Sequence, residues 1–374
     1  MNALTRDPFA KDQMTREDQM TREALTQALT DTPLDGRPEA EGAEAESLAR
    51  RARRRVSDML SEVLRQKTLA RPIHCTGVGL HSGRKVTLTL APAPVDSGIT
   101  FVRTDIAGAR TVLPALAGQV ADSRLCTVLA NPDSGVSVAT IEHLMAALAA
   151  AGIDNAEVRL NGPEVPALDG SARPFLFLID CAGTIEQEAP RQAIEVLRPV
   201  GVADGPASAT LAPAESGLWL DFAIDFDSAA IGRQQFSLAL DHGDDAAFRH
   251  QLAAARTFGL AEDIPRMRAA GLGLGGSLDN AVVVDGARVL NDGGLRFADE
   301  FVRHKMLDAI GDLSLAGAPL IGHYTGTRAS HALNTRLVAT LLASPDAWRR
   351  VPLTRARAAQ ADSRPAEGTG RAVA

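Results

Sequence analysis

Apolar and polar residues alternate along "RKVTLTLAP" (84–92), the period of a half-buried strand. "SVATIEHLMAALAAAGI" (137–153) begins like a strand and turns into an apolar helix that Gly152 ends. "NAEVRLNG" (155–162) predicts the next strand, and "PALDGSARPFLFLIDCAG" (166–183) predicts a Gly-Ser turn followed by an apolar helix. A second run of elements starts near Gln192. Strands are expected in "AIEVLRPVGV" and "GLWLDFAIDF" (217–226), and a helix over 244–259 in "DDAAFRHQLAAARTFG". A hairpin is expected around Asp285-Gly286 in "NAVVVDGARVLN" (280–291). A helix over 301–312, a strand in "LIGHYTG" and a helix in "HALNTRLVATLLA" close the pattern. This reads as two α+β halves divided near residue 190, with similar element patterns but no sequence repeat between them.

The ends differ from this body. Residues 1–65 are rich in charge, hold one aromatic residue, Phe9, and repeat "DQMTRE" in tandem at 12–17 and 18–23. Such a segment buries little core and is expected to be largely disordered, with a helix over 45–66 through Val56, Met59, Leu60, Val63 and Leu64. Residues 346–374 are expected to form a polar tail.

Length and composition add bounds. The 374 residues suffice for two domains with cores, and 45% hydrophobic with 23% charged residues fits a soluble globular chain. A net charge of −7 argues against a nucleic-acid binder. The three cysteines, Cys75, Cys126 and Cys181, lack paired spacing, which points to a reducing compartment and no cysteine-rich zinc module. The longest apolar run, Leu144 to Ile153, is too short to span a bilayer, and the N-terminus lacks a secretory pattern. The chain is expected in the cytoplasm, as a monomer.

One stripe carries chemistry. In "FVRHKMLDAIGD" (301–312), His304, Asp308 and Asp312 follow at four-residue steps. A helix turns about 100° per residue, so the three fall within about 80° of one another. They make either a solvated face, with Arg303 and Lys305 as partners, or part of a metal site, since His and Asp one turn apart can bind one ion. Glu142-His143, at the start of an apolar helix, offers a third ligand beside a carboxylate base. His143, His304 and Asp308 would form a His₂-carboxylate set with an open position, the layout of catalytic zinc.

Seven motifs in order resemble one family: "TGVGLHSGRKVTLTLAPAP", "TIEHLMAAL", "PALDGSARPF", "ARTFG", "GLGLGGSLDNAVVVD", "RVLNDGGLRFADEFVRHKMLDAIGDL" and "SHALNTRL". Together they resemble the bacterial UDP-3-O-acyl-N-acetylglucosamine deacetylases, from about Gln66 to Ala343. The resemblance implies a zinc amidase of lipid A synthesis in Gram-negative bacteria. Such an enzyme removes acetate from UDP-3-O-((R)-3-hydroxyacyl)-N-acetylglucosamine, its committed step. It also implies an α+β fold of two similar domains, each a β-sheet layered against helices, with the site between them. The domains would be 66–190 and 191–345.

By the same resemblance His143, His304 and Asp308 hold Zn²⁺, with Fe²⁺ as an alternative metal. Glu142 is the general base, His331 the catalytic histidine, Asp312 its partner, and Thr257 helps stabilise the oxyanion. Either Glu142 or His331 protonates the leaving amine. Lys305 matches the substrate-binding lysine, and Phe258 is placed with the substrate contacts. Asp225 and Phe226 match the uridine pocket, and Arg328 stands where many members have a lysine near the diphosphate. The segment 271–286 resembles a β-α-β insert that sheathes the acyl chain, with Ile264, Gly273, Ser277, Ala281 and Val283 lining the passage. Cys126 matches a position near the site, and His81 in "GLHSG" is a supporting residue. The N-terminal extension has no counterpart in the family core, and no fused dehydratase-like domain is expected. Two other functions remain open: a zinc hydrolase of a different amide, and a non-catalytic zinc-stabilised binding protein.

Overall fold

The computed structural model describes residues 62–106 and 112–358. In the first half the chain forms β1 (Arg65–Leu69), β2 (Ile73–Val78), β3 (Lys85–Pro92), β4 (Ile99–Arg103) and β5 (Val112–Pro114). The short strands β6 (Val120–Asp122), β7 (Val128–Ala130) and β8 (Ser137–Val138) follow. Then come α1 (Glu142–Ala150), β9 (Ala156–Leu160), α2 (Arg173–Ala182) and β10 (Thr184–Pro190). The second half forms β11 (Gln192–Val196), β12 (Val200–Asp204), β13 (Ala207–Ala212), β14 (Leu218–Asp225), β15 (Arg233–Leu240) and α3 (Ala246–Gln251). A small unit follows: β16 (Phe258–Leu260), α4 (Ile264–Ala269), β17 (Val282–Asp285) and β18 (Arg288–Val289). The chain continues through α5 (Glu300–Leu313), β19 (Leu320–Thr327), α6 (His331–Leu342), β20 (Trp348–Pro352) and α7 (Arg355–Ala358).

The two halves repeat one topology. In the first, strands lie in the order β2-β3-β9-β4-β5, with β9 antiparallel to β3 and parallel to β4. In the second, β12 pairs with β13, β13 with β19, β19 with β14 and β14 with β15, and β19 is antiparallel to β13 and parallel to β14. Each returning strand, β9 or β19, is preceded by one helix and followed by another. So α1 corresponds to α5 and α2 to α6. The second sheet alone is widened by β11 and β20 at the start of β19. This is the α+β architecture that the sequence led us to expect, and the sheets change over at Arg191.

Alternation explains the burial. In β3, Val86, Leu88 and Leu90 are fully buried while Lys85 is exposed. Four helices connect the two sheets. α2 packs on β2 and α1, α1 packs on α5, α5 on β14 and β15, and α6 on β12 and β13. A core spanning both halves results, with Leu90, Val158, Leu144 and Phe175 from the first half and Phe222, Leu307, Leu337 and Tyr324 from the second. At the α1–α5 contact a Cβ on Gly311 would lie 2.1 Å from the Glu142 carbonyl oxygen, so only glycine lets the helices meet this closely.

Three expectations need correction. The helix expected over 244–259 ends at Gln251. Its later donors have tertiary partners: Arg256 N–H donates to Glu300 Oε1 (2.9 Å) and Thr257 N–H to the Gly170 carbonyl (2.8 Å). Backbone donors satisfied in this way cannot also serve a helix. The β-α-β unit is not confined to 271–286, because its first strand is β16 and its helix α4. β16 and β17 pair in parallel, and the expected hairpin at Asp285-Gly286 is present as β17–β18. The polar tail does not begin at 346. β20 pairs along β11, and Val351, Leu353 and Ala358 are buried. Hydrophobic residues spaced by arginines in "WRRVPL" hid a strand with one buried face. The helix expected over 45–66 lies mostly outside the described residues, and Arg65 and Gln66 already belong to β1.

Candidate active site

The equivalent helices α1 and α5 bring His143 to the 304/308/312 stripe. His143 stands in the first turn of α1, and His304 and Asp308 lie one turn apart on α5. His143 Nε2 lies 3.4 Å and His304 Nε2 3.3 Å from Asp308 Oδ1. The ligand atoms of all three lie within 4.8 Å of one another. All three side chains are buried, which rules out the solvated face.

Their chemistry fits a divalent cation. His304 Nδ1 lies 3.1 Å from the Ala255 carbonyl. As the donor there, it leaves the Nε2 lone pair facing Asp308. Burial pushes the His304 pKa down to about 3, so its ring is neutral. Burial also works against the Asp308 charge, yet interaction with the adjoining His304 ring and with the Lys305 ammonium holds its carboxyl well below the ordinary range. Asp308 Oδ1 is buried without any hydrogen-bond donor among the described residues. Two imidazole nitrogens facing a carboxylate oxygen without a donor form a group that could hold a metal ion.

A second cluster adjoins the first. His331 opens α6, and its Nδ1 lies 2.9 Å from Asp312 Oδ2. Its Nε2 points towards Asp308, 3.8 Å from Oδ2. Burial lowers the His331 pKa, but the fully buried Asp312 beside it outweighs that and raises it to about 9. Asn334 Nδ2 also donates to Asp312 Oδ2 (2.9 Å), and Tyr324 donates to Asn334 (2.7 Å). Thr127 Oγ1 donates to Asp312 Oδ1 (2.6 Å). Glu142, the first residue of α1, is buried, and burial raises its pKa. Thr127 N–H donates to Glu142 Oε2 (3.0 Å).

The remaining sequence candidates fall around this centre. Lys305 Nζ donates to Asp308 Oδ2 (2.7 Å), so it stands beside the ligand set. Phe258 meets His304 edge-on at 6.2 Å between ring centres, and also Phe226 and Phe301 at 5.6 and 4.9 Å. This aromatic chain connects the metal set to the β16–β18 unit. Asp225 and Arg328 form an exposed ion pair with each other. Thr257 is half-buried, two residues after the carbonyl that holds His304. Cys126 is buried, and burial followed by the charge of Glu142 raises its thiol to about 12, so it is a neutral packing residue. Ile264, Gly273, Ala281 and Val283 are half-buried on the β16–β18 unit, and Ser277 is exposed. That unit docks on the first half through Leu274 N–H and Gly275 N–H, which donate to the carbonyls of His81 and Leu80.

The sequence reading missed several supports. Glu164 accepts from the backbone N–H of His81 and Ser82 and from Thr140 Oγ1, each at 2.8 Å, and so fixes the loop that carries His81. Arg256 and Glu300 form a buried ion pair that holds the 255–257 segment on α5. Asn334 lies three residues after His331, a helical spacing that could have revealed it. Thr127 sits in "LCTVLAN", directly after the more conspicuous Cys126.

Among the described residues no helix is long and apolar enough to cross a membrane. A family profile described as UDP-3-O-acyl N-acetylglycosamine deacetylase matches residues 66–343. The chain is 50% identical over 286 residues to a protein of Shewanella baltica (strain OS185), covering 76% of this chain and 92% of that one. It is likewise 50% identical over 283 residues to a protein of Shewanella halifaxensis (strain HAW-EB4), covering 76% and 91%. Both relatives are named UDP-3-O-acyl-N-acetylglucosamine deacetylase. A match across both halves, on a chain whose His₂-Asp set is assembled from both, places it: this chain belongs to the UDP-3-O-acyl N-acetylglycosamine deacetylase family, a family of metalloenzymes.

Proposed function

We propose that the chain hydrolyses the acetamide of UDP-3-O-((R)-3-hydroxyacyl)-N-acetylglucosamine, releasing acetate and the free amine, as a zinc enzyme of lipid A synthesis. The observation that carries this is the meeting of His143, His304 and Asp308 with Glu142 on one side and the His331–Asp312 pair on the other. The names of the relatives supply the substrate. Three cysteines that are free in this fold support a reducing, cytoplasmic setting.

His143, His304 and Asp308 would hold the ion, and Fe²⁺ suits the same donors. Zinc bound there supplies a Lewis acid for the acetamide carbonyl. Glu142 takes the proton of the attacking water. Its raised pKa makes it a stronger base than an exposed carboxylate. Negative charge then grows on the carbonyl oxygen. His331, kept cationic by Asp312, and the Thr257 hydroxyl stabilise that charge. Collapse expels the amine, which takes its proton from His331 or from Glu142. Lys305, Phe226, Phe258, Asp225 and Arg328 bind the nucleotide sugar, and Cys126 packs at the edge of the site. The β16–β18 unit, with Ile264, Gly273, Ser277, Ala281 and Val283, covers the acyl chain. The catalytic domains are 66–190 and 191–358, the second carried past 345 by β20 and α7.

The test is acetate release from this substrate by the purified chain, before chelation, after chelation, and after zinc is added back. Release that chelation abolishes and zinc restores is expected. A zinc-loaded protein that leaves the acetamide intact refutes the proposal.

A further inference from the structure

We propose that Thr127 is a positioning residue that couples the two proton-handling groups of the site, its backbone N–H fixing Glu142 and its hydroxyl fixing Asp312 and hence His331. This rests on the deacetylase reading and adds a residue to it. Thr127 immediately precedes β7, in the first half, and is fully buried. Its N–H donates to Glu142 Oε2 at 3.0 Å and its Oγ1 donates to Asp312 Oδ1 at 2.6 Å. One residue therefore touches two buried carboxylates that arrive on different helices from different halves. Its carbonyl accepts from Ile141 N–H at 3.5 Å, a second tie to the start of α1.

Each bond has a consequence. The amide takes one Glu142 oxygen and leaves Oε1 outside that bond. A carboxylate gripped at one oxygen keeps the other aimed, which general-base catalysis requires. The hydroxyl has only an acceptor to face, so its proton lies on the Asp312 side, and a short O–H···O⁻ bond is a strong one. With Oδ1 held by Thr127, the carboxylate plane is fixed, and Oδ2 receives His331 Nδ1 and Asn334 Nδ2. The imidazole is thereby set with Nε2 towards the metal-ligand group. Valine has nearly the same shape as threonine but cannot donate. It would leave Asp312 Oδ1 buried without a partner and free the carboxylate to turn.

The experiment uses the full-length, zinc-loaded chain. Thr127→Val should lower kcat about 10- to 100-fold, the loss expected for a hydrogen bond to a charged group, with KM and zinc content unchanged. Thr127→Ser, which restores the hydroxyl, should recover activity to within about 3-fold of the parent. In an Asp312→Ala background, Thr127→Val should cost less than about 2-fold more, because the bond it removes is already gone. If Thr127→Val does not fold, Thr127→Ala set against Thr127→Ser asks the same question. A Val variant with near-parental kcat, a Ser variant as damaged as the Val variant, or a full additional loss in the Asp312→Ala background would each overturn the proposal. An inactive parent would instead defeat the deacetylase reading. The coupling is then read without turnover, from the His331 Nδ1–H proton resonance: Thr127→Val should move it and Thr127→Ser should not. A resonance unmoved by Thr127→Val refutes the coupling.

Discussion

Gly311 and Glu142 are in contact through their backbones: a Cβ on Gly311 would stand 2.1 Å from the Glu142 carbonyl oxygen and 3.0 Å from its Cα. The proposed base thus owes its position to a glycine on the opposite helix. Gly311→Ala should raise helix propensity by about 1 kcal/mol, which alone would stabilise α5. The clash is with backbone rather than a flexible side chain, so the net effect should be destabilising by about 1–3 kcal/mol. Because the displaced backbone carries Glu142 and His143, activity should fall further than the melting temperature suggests. Thermal melts and acetate release on the same sample check this. A more stable and fully active variant would show that α1 and α5 can part without harm.

Removing any one ligand should empty the metal site. His143→Ala, His304→Ala and Asp308→Ala each leave two protein donors, too few to hold zinc well. Metal content by mass spectrometry and acetate release should fall together. Three variants that each purify with a full equivalent of metal would show that the ligands are other residues.

The base can be separated from the ligands. Glu142→Gln keeps the shape and still accepts from Thr127 N–H, but loses the basic oxygen. Metal should stay bound, KM should change little, and turnover should fall about 10²- to 10⁴-fold. Metal loss, or near-normal turnover, would take the base role from Glu142.

Much of this site was legible in sequence because its geometry is local. His304, Asp308 and Asp312 follow helical spacing within a single element, and Glu142-His143 are neighbours. That the two groups meet was not legible from spacing, since it depends on α1 and α5 being equivalent helices in two halves that share no repeated sequence. Thr127 was missed for a related reason: its bond to Glu142 comes from the backbone, which leaves no mark on residue identity. The strand at 348–352 was missed because its exposed Arg349 and Arg350 outweigh Val351 in composition. Leu353, fully buried just beyond it, measures that error. Leu353→Ala should cost about 2–5 kcal/mol in denaturant unfolding, whereas a polar tail would lose almost nothing.

His331 titrates near 6.5 when unfolded, and in the fold, against burial, Asp312 raises it to about 9. Its sign is that of a raised histidine. The stability it contributes is complete below about 6.5 and is lost as pH climbs through about 9. If cationic His331 stabilises the growing oxyanion, turnover should likewise decline on the basic side as that proton leaves. Asp312→Asn removes the largest raising influence, while burial and Lys305 continue to lower the value. The basic limb should then move to lower pH, and stability should begin to fall earlier on the alkaline side. His331→Ala should abolish the limb along with most of the activity. Rate profiles and denaturant midpoints across the alkaline range, for parent and Asp312→Asn, provide the comparison. An Asp312→Asn profile that coincides with the parent's would mean that the basic limb belongs to another group.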